Sequence, residues 1–529
     1  MGKKILLSGI MLAMLAAFIF AVQPPARAEK TSILVGWSQP LSFIAPGLVY
    51  TAYTHHMYYW MCIDDINSAG GLNVPSVGKL PIEYIVLDDT YNEQTMLNNY
   101  QDLMEEGGTH PKCDLLLAPW SSEFNQAVAP LFESYQYPMV GLTVGSDVIA
   151  EKCKSGEWTF VFIVLGQPYE DAEQVAQVIN FINTKVPTNP ITKVAMAYRN
   201  DVHGQQHASS MKSKLESMGL SVPVYYAYEV VPAPSPDWDN FISNCQSNNV
   251  DVVMCFGYDE VAGFIGKCIA MSYNPKLVFH GPALETPNMI IQLGFNPGVM
   301  AGCVYYNGWP ATAYKSPTLQ AWYNKHRTYS KWFWANEIPP PYGPVNYPYG
   351  YAPFPASAAF YLGVEALFRA VEEVGLNGQA IRDRLRNSMN GTAITCTLGI
   401  GANIQVRFNV GAGMTISEHG TISQWQGGEM MDVVWPSDKA STDHIIYPKF
   451  PWDWGYEPDV NRDGYVDGKD LWLVAKDYGF EGPAYQKRTD VNYCRPSLEP
   501  ADGYVDGKDL WIVAKRYGKE APYGGWINY

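Results

Sequence analysis

The feature that most constrains the fold is a regular alternation of short β-rich runs with helical patterns across residues 31–300. Residues 82–87 predict a strand, 94–106 a helix and 114–118 the next strand. Strands and helices that alternate at this spacing form parallel sheets covered by helices on both faces. Ligands of such sheets bind beyond the carboxyl ends of the strands, so we expect the functional residues in loops that directly follow strands.

The pattern changes in the second half of the chain. Residues 310–356 are rich in Pro and Tyr, which predicts an insertion or an extended loop. Residues 355–374 and 379–387 predict helices, and 396–435 predict β-structure. Residues 436–458 contain four prolines and show neither a helical nor a strand period, so we interpret them as a linker.

The first 28 residues indicate export. Lys3 and Lys4 precede a nearly unbroken apolar run, and Ala26-Arg27-Ala28 places small residues at a cleavage site. This pattern predicts a secretory signal peptide cut before Glu29, although an uncleaved anchor is the alternative. We therefore expect a secreted, extracellular and cell-surface-associated protein. The formal net charge of −16 argues against nucleic acid as a partner, because binding to phosphates needs a basic face.

The nine cysteines match no zinc motif, and their odd number leaves at least one unpaired. Export permits disulfides. Cys113 and Cys153 flank a predicted strand–helix–strand unit, and we expect them to form a bridge.

Residues 463–479 recur at 502–518 with two changes, which is the clearest motif in the chain. Calcium prefers oxygen ligands at alternate positions of a tight loop with a glycine at the turn. The first copy predicts calcium ligands at Asp459, Asn461, Asp463, Tyr465 (through its carbonyl), Asp467 (through water) and Asp470. The second copy offers Asp490, Asn492, Asp502, Tyr504, Asp506 and Asp509, provided that residues 493–501 loop out. The alternative is a pair of acidic turns, each followed by a surface helix.

This repeat, over residues 459–520, resembles the type I dockerin domain, a small α-helical calcium-loop domain. The resemblance implies calcium as a cofactor and docking onto a cohesin on a scaffold or surface protein. Trp472 and Trp511 occupy matching positions in the two copies. We expect them to pack in the core between two helices, with exposed docking rings as the alternative.

The larger part of the chain carries a second, more diffuse resemblance, in the segments 63–72, 86–89, 118–122, 138–141 and 252–258. They resemble extracellular solute-binding proteins of the type I periplasmic-binding fold, in the branched-chain amino-acid and amide group. The resemblance implies an α/β domain over 29–435 whose two lobes close on a ligand. The first lobe would comprise about 31–162 and 305–395, and the second about 166–303 and 400–435.

Ser121 and Ser122 lie between a predicted strand and a helix start, where hydroxyls and free backbone N–H groups favour an anion. By resemblance, Ser122 holds the ligand's carboxylate, and Thr143 or Ser146 adds a second hydroxyl. The alternative for each serine is an ordinary helix cap.

Rings that follow strands complete the predicted site. The resemblance places Tyr258 over the ligand, and Trp37 and Trp120 are further post-strand aromatics for which packing is the alternative. His203 stands where the family often offers a ring. Glu285 is the candidate partner for a ligand ammonium group, in an uncertain register.

These features predict a secreted substrate-binding component of an ABC-type transporter, with a transporter permease as partner and an amino acid, amide or related carboxylate as ligand. We find no catalytic motif and expect no enzyme activity. The alternatives are a cellulosome-type enzyme that breaks down polysaccharides, because dockerins often accompany such enzymes, and an extracellular ligand sensor.

Overall fold

The structure is a computed structural model that describes residues 30–42, 46–229, 236–258, 260–281, 300, 302–308, 317–337, 357–409, 421–426, 431–438, 440–442, 444–449, 452, 468–476 and 526–528. The predicted signal peptide, Glu285 and every predicted calcium ligand except Asp470 lie outside these ranges. Within the described ranges, no helix has the length and apolarity that a bilayer span requires.

The first lobe is built from alternating strands and helices, as the sequence predicts. Its first elements are β1 (Ile33–Gln39), α1 (Pro46–Ser68), β2 (Leu72–Val74), β3 (Gly78–Leu80), β4 (Ile82–Asp88), α2 (Glu93–Met104), β5 (Leu115–Leu116), α3 (Ser122–Tyr135), β6 (Met139–Gly141), α4 (Asp147–Ser155) and β7 (Val161–Ile163). Strand β1 lies between β4 and β5 in a parallel sheet, and β6 pairs with β7 in parallel. Six of the seven residues of β1 are buried, because helices cover both faces of its sheet.

The second lobe follows directly after β7. Its elements are α5 (Pro168–Lys185), β8 (Lys193–Arg199), α6 (Val202–Ser217), β9 (Ser221–Tyr228), α7 (Trp238–Ser247), β10 (Val252–Phe256), α8 (Val261–Ala270), β11 (Leu277–His280) and β12 (Val304–Gly308). The chain then returns to the first lobe with α9 (Pro317–Asn336), α10 (Ser357–Val374), α11 (Gly378–Asn387), β13 (Ile394–Cys396) and β14 (Ile404–Val406).

The final described elements belong to the second lobe and the tail: β15 (Thr421–Gln424), β16 (Asp432–Trp435), β17 (His444–Ile446), α12 (Gly468–Lys476) and β18 (Trp526–Asn528). The second lobe is organised by a seven-stranded sheet in the order β16-β15-β12-β11-β10-β8-β9. Strands β8 to β12 of this sheet are parallel, whereas β15 and β16 add an antiparallel edge. This edge explains why a purely alternating pattern is lost after residue 300.

The expectation of an insertion or extended loop over 310–356 is wrong for its first half, since α9 spans twenty residues of it. One face of α9 is buried: Trp322, His326 and Phe333 recur at helical spacing. His326 Nε2 lies 2.9 Å from the Tyr58 hydroxyl of α1. This buried face consists of aromatic side chains mixed with polar groups. The sequence pattern therefore did not indicate an amphipathic helix here.

The interpretation of 436–458 as a linker without strand structure is also wrong for β17. This strand pairs antiparallel with β18 near the end of the sequence, and Ile445 and Ile527 lie in a core of the second lobe. The Gln424 side chain accepts from Ile446 N at 2.8 Å and donates to Ile446 O at 2.9 Å. A three-residue strand is too short to show a period, and its partner is distant in sequence.

The predicted bridge between Cys113 and Cys153 is not formed. All eight cysteines in the described part of the chain are buried free thiols. The Cys113 Sγ lies 3.9 Å from Pro111 O, and the Cys153 Sγ lies 3.6 Å from Val161 O. Both thiols therefore act as small apolar groups in the same core cluster of the first lobe.

Replacement of Ile527 tests the contribution of the C-terminal strand. Ile527 is 6% exposed, so Ile527→Ala should lower the free energy of unfolding by about 2 kcal/mol and Ile527→Val by about 1 kcal/mol. Urea unfolding of the full chain measures both values, with the exposed Val77→Ala as control. Equal stability of all variants would show that β18 does not contribute to the second lobe.

Candidate ligand-binding site

A cavity of ≈ 30 Å³ lies between the two lobes. Its lining is dominated by rings: His55, Trp120, Thr143, Gly145, Leu165, His203, His207, Tyr258, Tyr305 and Phe360. A water molecule needs about 10–15 Å³ of such volume, so two or three waters would fill the space. A ligand of amino-acid size therefore requires the rings or the lobes to move apart.

The first-lobe wall is organised by the loop between β5 and α3. Ser121 is the N-cap of α3 and has a φ of 80°, which a residue with a side chain adopts only under strain. The Thr143 hydroxyl accepts from Ser121 N at 3.0 Å, and the Asn125 side chain donates to Ser121 O at 2.7 Å. These two bonds hold the strained backbone and place Trp120 against the cavity.

The hydroxyls predicted to bind a carboxylate are engaged within the first lobe. Ser122 Oγ accepts from Gly145 N at 3.0 Å and lies 3.4 Å from Thr143 O. Ser146 is the N-cap of α4, and its hydroxyl donates to Gln126 at 3.0 Å. Of the predicted hydroxyl residues, Thr143 lines the cavity, whereas Ser121, Ser122 and Ser146 lie behind its wall.

A column of rings forms the second-lobe wall. The Tyr258 ring stacks on His203 at 5.2 Å, and His203 lies 4.4 Å from the His207 ring. On its other side, Tyr258 contacts Trp120 of the first lobe at 5.2 Å between centroids. The predicted residues Trp120, His203 and Tyr258 therefore meet at the cavity, each from a post-strand segment.

The hydrogen bonds of the imidazoles determine their proton positions. An indole N–H can only donate, so the 3.2 Å bond from Trp120 Nε1 to His55 Nδ1 places the His55 proton on Nε2. The pKa of His203 lies well below its usual range, mainly because the ring is buried and to a smaller extent because His207 and Arg199 lie nearby. His203 is therefore a neutral ring at physiological pH.

His207, which lines the cavity, is hydrogen-bonded to Asp171. Its Nδ1 lies 2.8 Å from His203 O, which can only accept, and its Nε2 lies 3.3 Å from Asp171 Oδ2. Burial raises the pKa of Asp171 to about 6, opposed by the bond to His207. The His207 ring is therefore held between the His203 carbonyl and the Asp171 carboxyl group.

Trp37 is not among the residues that line the cavity. Trp37 is fully buried in the first-lobe core, where its ring contacts Tyr59 at 5.6 Å and Trp60 at 5.1 Å. Trp37 is therefore a core packing residue, which was the alternative to a role in ligand binding. Glu285 lies outside the described residues.

The predicted site does not include six of the lining residues: His55, Gly145, Leu165, His207, Tyr305 and Phe360. His207 stands one helical turn after His203, and Gly145 and Leu165 closely follow strands, so a wider search of strand ends would include them. His55 and Phe360 lie within α1 and α10, and nothing in their local pattern separates them from core residues.

Of the predicted calcium ligands, one, Asp470, lies within the described residues. Asp470 is buried in the first turn of α12. Within the described ranges, no group of three His, Cys, Asp or Glu side chains is arranged to hold a metal ion. Trp472, on the same helix, is 60% exposed, so the expectation that it packs in a core is wrong.

The lobes also meet along α6, beside the cavity. Ser210 Oγ donates to Asp147 Oδ2 at 2.6 Å, and Gln206 Oε1 accepts from Val148 N at 3.3 Å. The structure therefore represents the closed arrangement of the lobes.

Comparison with known proteins supports this architecture. A family model described as periplasmic binding protein matches residues 60–407. A branched-chain amino acid ABC transporter protein from Thermus thermophilus with bound valine is 13% identical, over 77% of this chain and 96% of its own, with a TM-score of 0.57. A branched-chain amino acid transporter substrate-binding protein from Streptococcus pneumoniae with isoleucine is 14% identical, over 79% and 100%, with a TM-score of 0.55.

An extracellular ligand-binding receptor from Rhodopseudomonas palustris HaA2 is 13% identical, over 77% of this chain and 100% of its own, with a TM-score of 0.56. At these identities the similarity concerns the fold. The predicted two-lobed α/β fold is confirmed.

Gly145 provides a test of the closed arrangement. A Cβ atom on Gly145 would lie 2.5 Å from His207 Cε1 across the lobe interface. Gly145→Ala should therefore reduce the closed population, because His207 cannot move without breaking its bond to Asp171. Spin labels at the exposed positions Val77 and Ile269, one in each lobe, report the interlobe distance after Val77→Cys, Ile269→Cys and Cys494→Ser. His207→Ala should restore closure in the Gly145→Ala background, and an unchanged distance distribution in Gly145→Ala would contradict this contact.

Proposed function

Because this chain belongs to the periplasmic binding protein family, we propose that it is the substrate-binding component of an ABC-type transporter. Outside the cytoplasm, it captures a small ligand between its lobes and delivers this ligand to a transporter permease. The observation that carries this proposal is the ring-lined cavity between the lobes, with Trp120 and Tyr258 on opposite sides.

The absence of enzyme activity follows from the family. Its members and the solved neighbours are ligand-binding proteins, so the prediction that this chain is not an enzyme is confirmed. The alternative of a polysaccharide-degrading enzyme is thereby removed.

We propose an amino acid, an amide or a related carboxylate as the ligand. Two neighbours of similar fold contain valine and isoleucine. The lining of this cavity favours a ligand with a planar apolar group, because seven of its ten residues carry rings whose faces pack best on flat groups. Thr143 supplies a hydroxyl for a polar end of the ligand.

We further propose that the repeats at 459–520 bind calcium and dock onto a cohesin-bearing scaffold or surface protein. The alternating oxygen ligands of both copies support calcium binding. The exposed ring of Trp472 supports docking, since exposed tryptophans are enriched at protein interfaces. This tail would hold the binding protein at the cell surface near its transporter.

Binding measurements test the ligand proposal. Mass spectrometry of compounds released from the purified protein, followed by calorimetry with L-isoleucine, L-valine and L-phenylalanine, identifies the ligand class. Trp120→Ala and Tyr258→Ala should each weaken binding at least about tenfold, the equivalent of one lost ring contact. The exposed Trp332→Ala serves as control. Unaltered affinity in both cavity variants would show that the ligand binds elsewhere.

Calcium titration of the full chain tests the tail. Calorimetry should detect calcium binding whose stoichiometry falls by one site in Asp459→Asn combined with Asp463→Asn, because a hard cation requires these carboxylate ligands of the first copy. The exposed Asp438→Asn is a matched control, since it removes one acid outside the repeats. An unchanged stoichiometry in the double variant would limit calcium to the second copy, and no binding in the unaltered chain would refute the proposal.

A further inference from the structure

A polar contact joins the lobes outside the cavity. The interlobe cluster comprises Tyr91 and Glu123 of the first lobe with Arg199, Asp201 and Glu260 of the second. The Tyr91 hydroxyl donates to Glu123 Oε1 and accepts from Arg199 Nη2 at 3.2 Å. Tyr91 therefore links the lobes directly.

The second-lobe part of the cluster is fixed by its own hydrogen bonds. Arg199 is 1% exposed and donates to Asp201 at 2.6 Å and to Glu260 at 3.4 Å. Glu260 also accepts from the Tyr228 hydroxyl at 2.9 Å and from Tyr258 N at 3.1 Å. Two carboxylates thus already balance the buried guanidinium before the first lobe arrives.

The cluster is continuous with the cavity wall. The Arg199 guanidinium lies 4.5 Å from the centroid of the Tyr258 ring, and Tyr258 lines the cavity against Trp120. Lobe closure therefore assembles the cavity and the interlobe cluster in one movement.

Glu123 enters this cluster as a third acid. Its Oε2 is shielded from solvent and has no hydrogen-bond partner. Burial and the nearby Asp201 raise the pKa of Glu123 to about 7, against the opposing effects of Arg199 and the Tyr91 bond. When the second lobe moves away, we expect the carboxylate to regain water, which returns its pKa towards the ordinary value of 4.5.

The other groups that face Glu123 do not take up this proton. Burial raises the pKa of the Tyr91 and Tyr258 phenols well above their usual range, so both stay protonated. Arg199 keeps its charge, because the surrounding acids hold its pKa above its already high value. The nearby His203 is neutral and cannot balance a third carboxylate.

We propose that Glu123 is a positioning residue for lobe closure, whose carboxyl takes up a proton as the second lobe closes over it. This inference rests on the proposed function only in requiring two lobes that open and close. The proton removes a buried charge that the cluster does not balance, at the smaller cost of a buried neutral carboxyl.

The sign of the pH dependence follows from the raised pKa in the closed state. The closed state binds one more proton than the open state, so closure is favoured below the ordinary pKa of 4.5. The closed population falls as pH rises towards about 7 and levels off above that value. Between pH 5 and 8 the closing equilibrium constant should decrease on the order of 50-fold.

The interlobe distance between spin labels at positions 77 and 269 measures this equilibrium in the full chain without added ligand. The unaltered Glu123 should give a closed population that decreases from pH 5 to 8. Glu123→Gln keeps the shape and the acceptor for Tyr91 but cannot titrate, so its closed population should be independent of pH and larger than that of the unaltered chain at pH 8.

Three further variants separate this effect from other causes. Glu106→Gln changes an exposed glutamate of the first lobe, and Asp171→Asn removes another buried acid near the cavity. Both should keep the decrease between pH 5 and 8. Tyr91→Phe removes the bond that favours the ionised carboxylate, so the decrease should move to higher pH.

The outcomes that overturn the proposal are distinct. A closed population that does not depend on pH in the unaltered chain refutes it, as does a full pH response in Glu123→Gln. If Glu123→Gln does not fold, an unshifted response in Tyr91→Phe refutes it instead. A normal pH response together with no binding of any tested compound would contradict the proposed function and leave this inference intact.

Discussion

The contact between Trp120 and Tyr258 is the interaction on which the site depends, because the two rings belong to different lobes. Each lobe alone presents only part of the ring-lined cavity. The contact also positions the second-lobe ring column, since Tyr258 stacks on His203 and covers the Arg199 guanidinium. A ligand between these rings would therefore stabilise the closed arrangement through groups that meet only there.

The cores explain how such a contact can open. Each lobe contains its own buried apolar clusters, and the lobes join through rings and polar bonds. One connecting segment passes from Ile163 to the start of α5, where the Gln167 side chain donates to Leu165 O at 2.9 Å. Because folding energy resides mainly in the separate cores, the interface can break without exposing them.

The local sequence pattern was sufficient to predict a strand or helix where the element is long and its buried residues recur regularly. The strands and helices between Ile33 and His280 follow the predicted alternation, with boundary shifts of a few residues. The short helix α4, the hairpin of β2 and β3, and β17 carry too few residues for a period to emerge. Helix α9 was missed because its buried face combines aromatic side chains with the polar His326, among flanking prolines. The prediction of a Cys113–Cys153 bridge was wrong, because two cysteines that flank the same unit in the sequence need not have their thiols in contact.

The sequence by itself determined the two-lobed α/β architecture and the post-strand residues Trp120, Thr143, His203 and Tyr258 at the cavity. It also contains the repeated acidic loops, whose role remains a proposal. Only the tertiary structure decided that His55 and Phe360 face the cavity and that Tyr91 meets Arg199, 108 residues away. The physical reason is that local periodicity reports which face of an element is buried, whereas the partner of that face is chosen by packing across the whole chain.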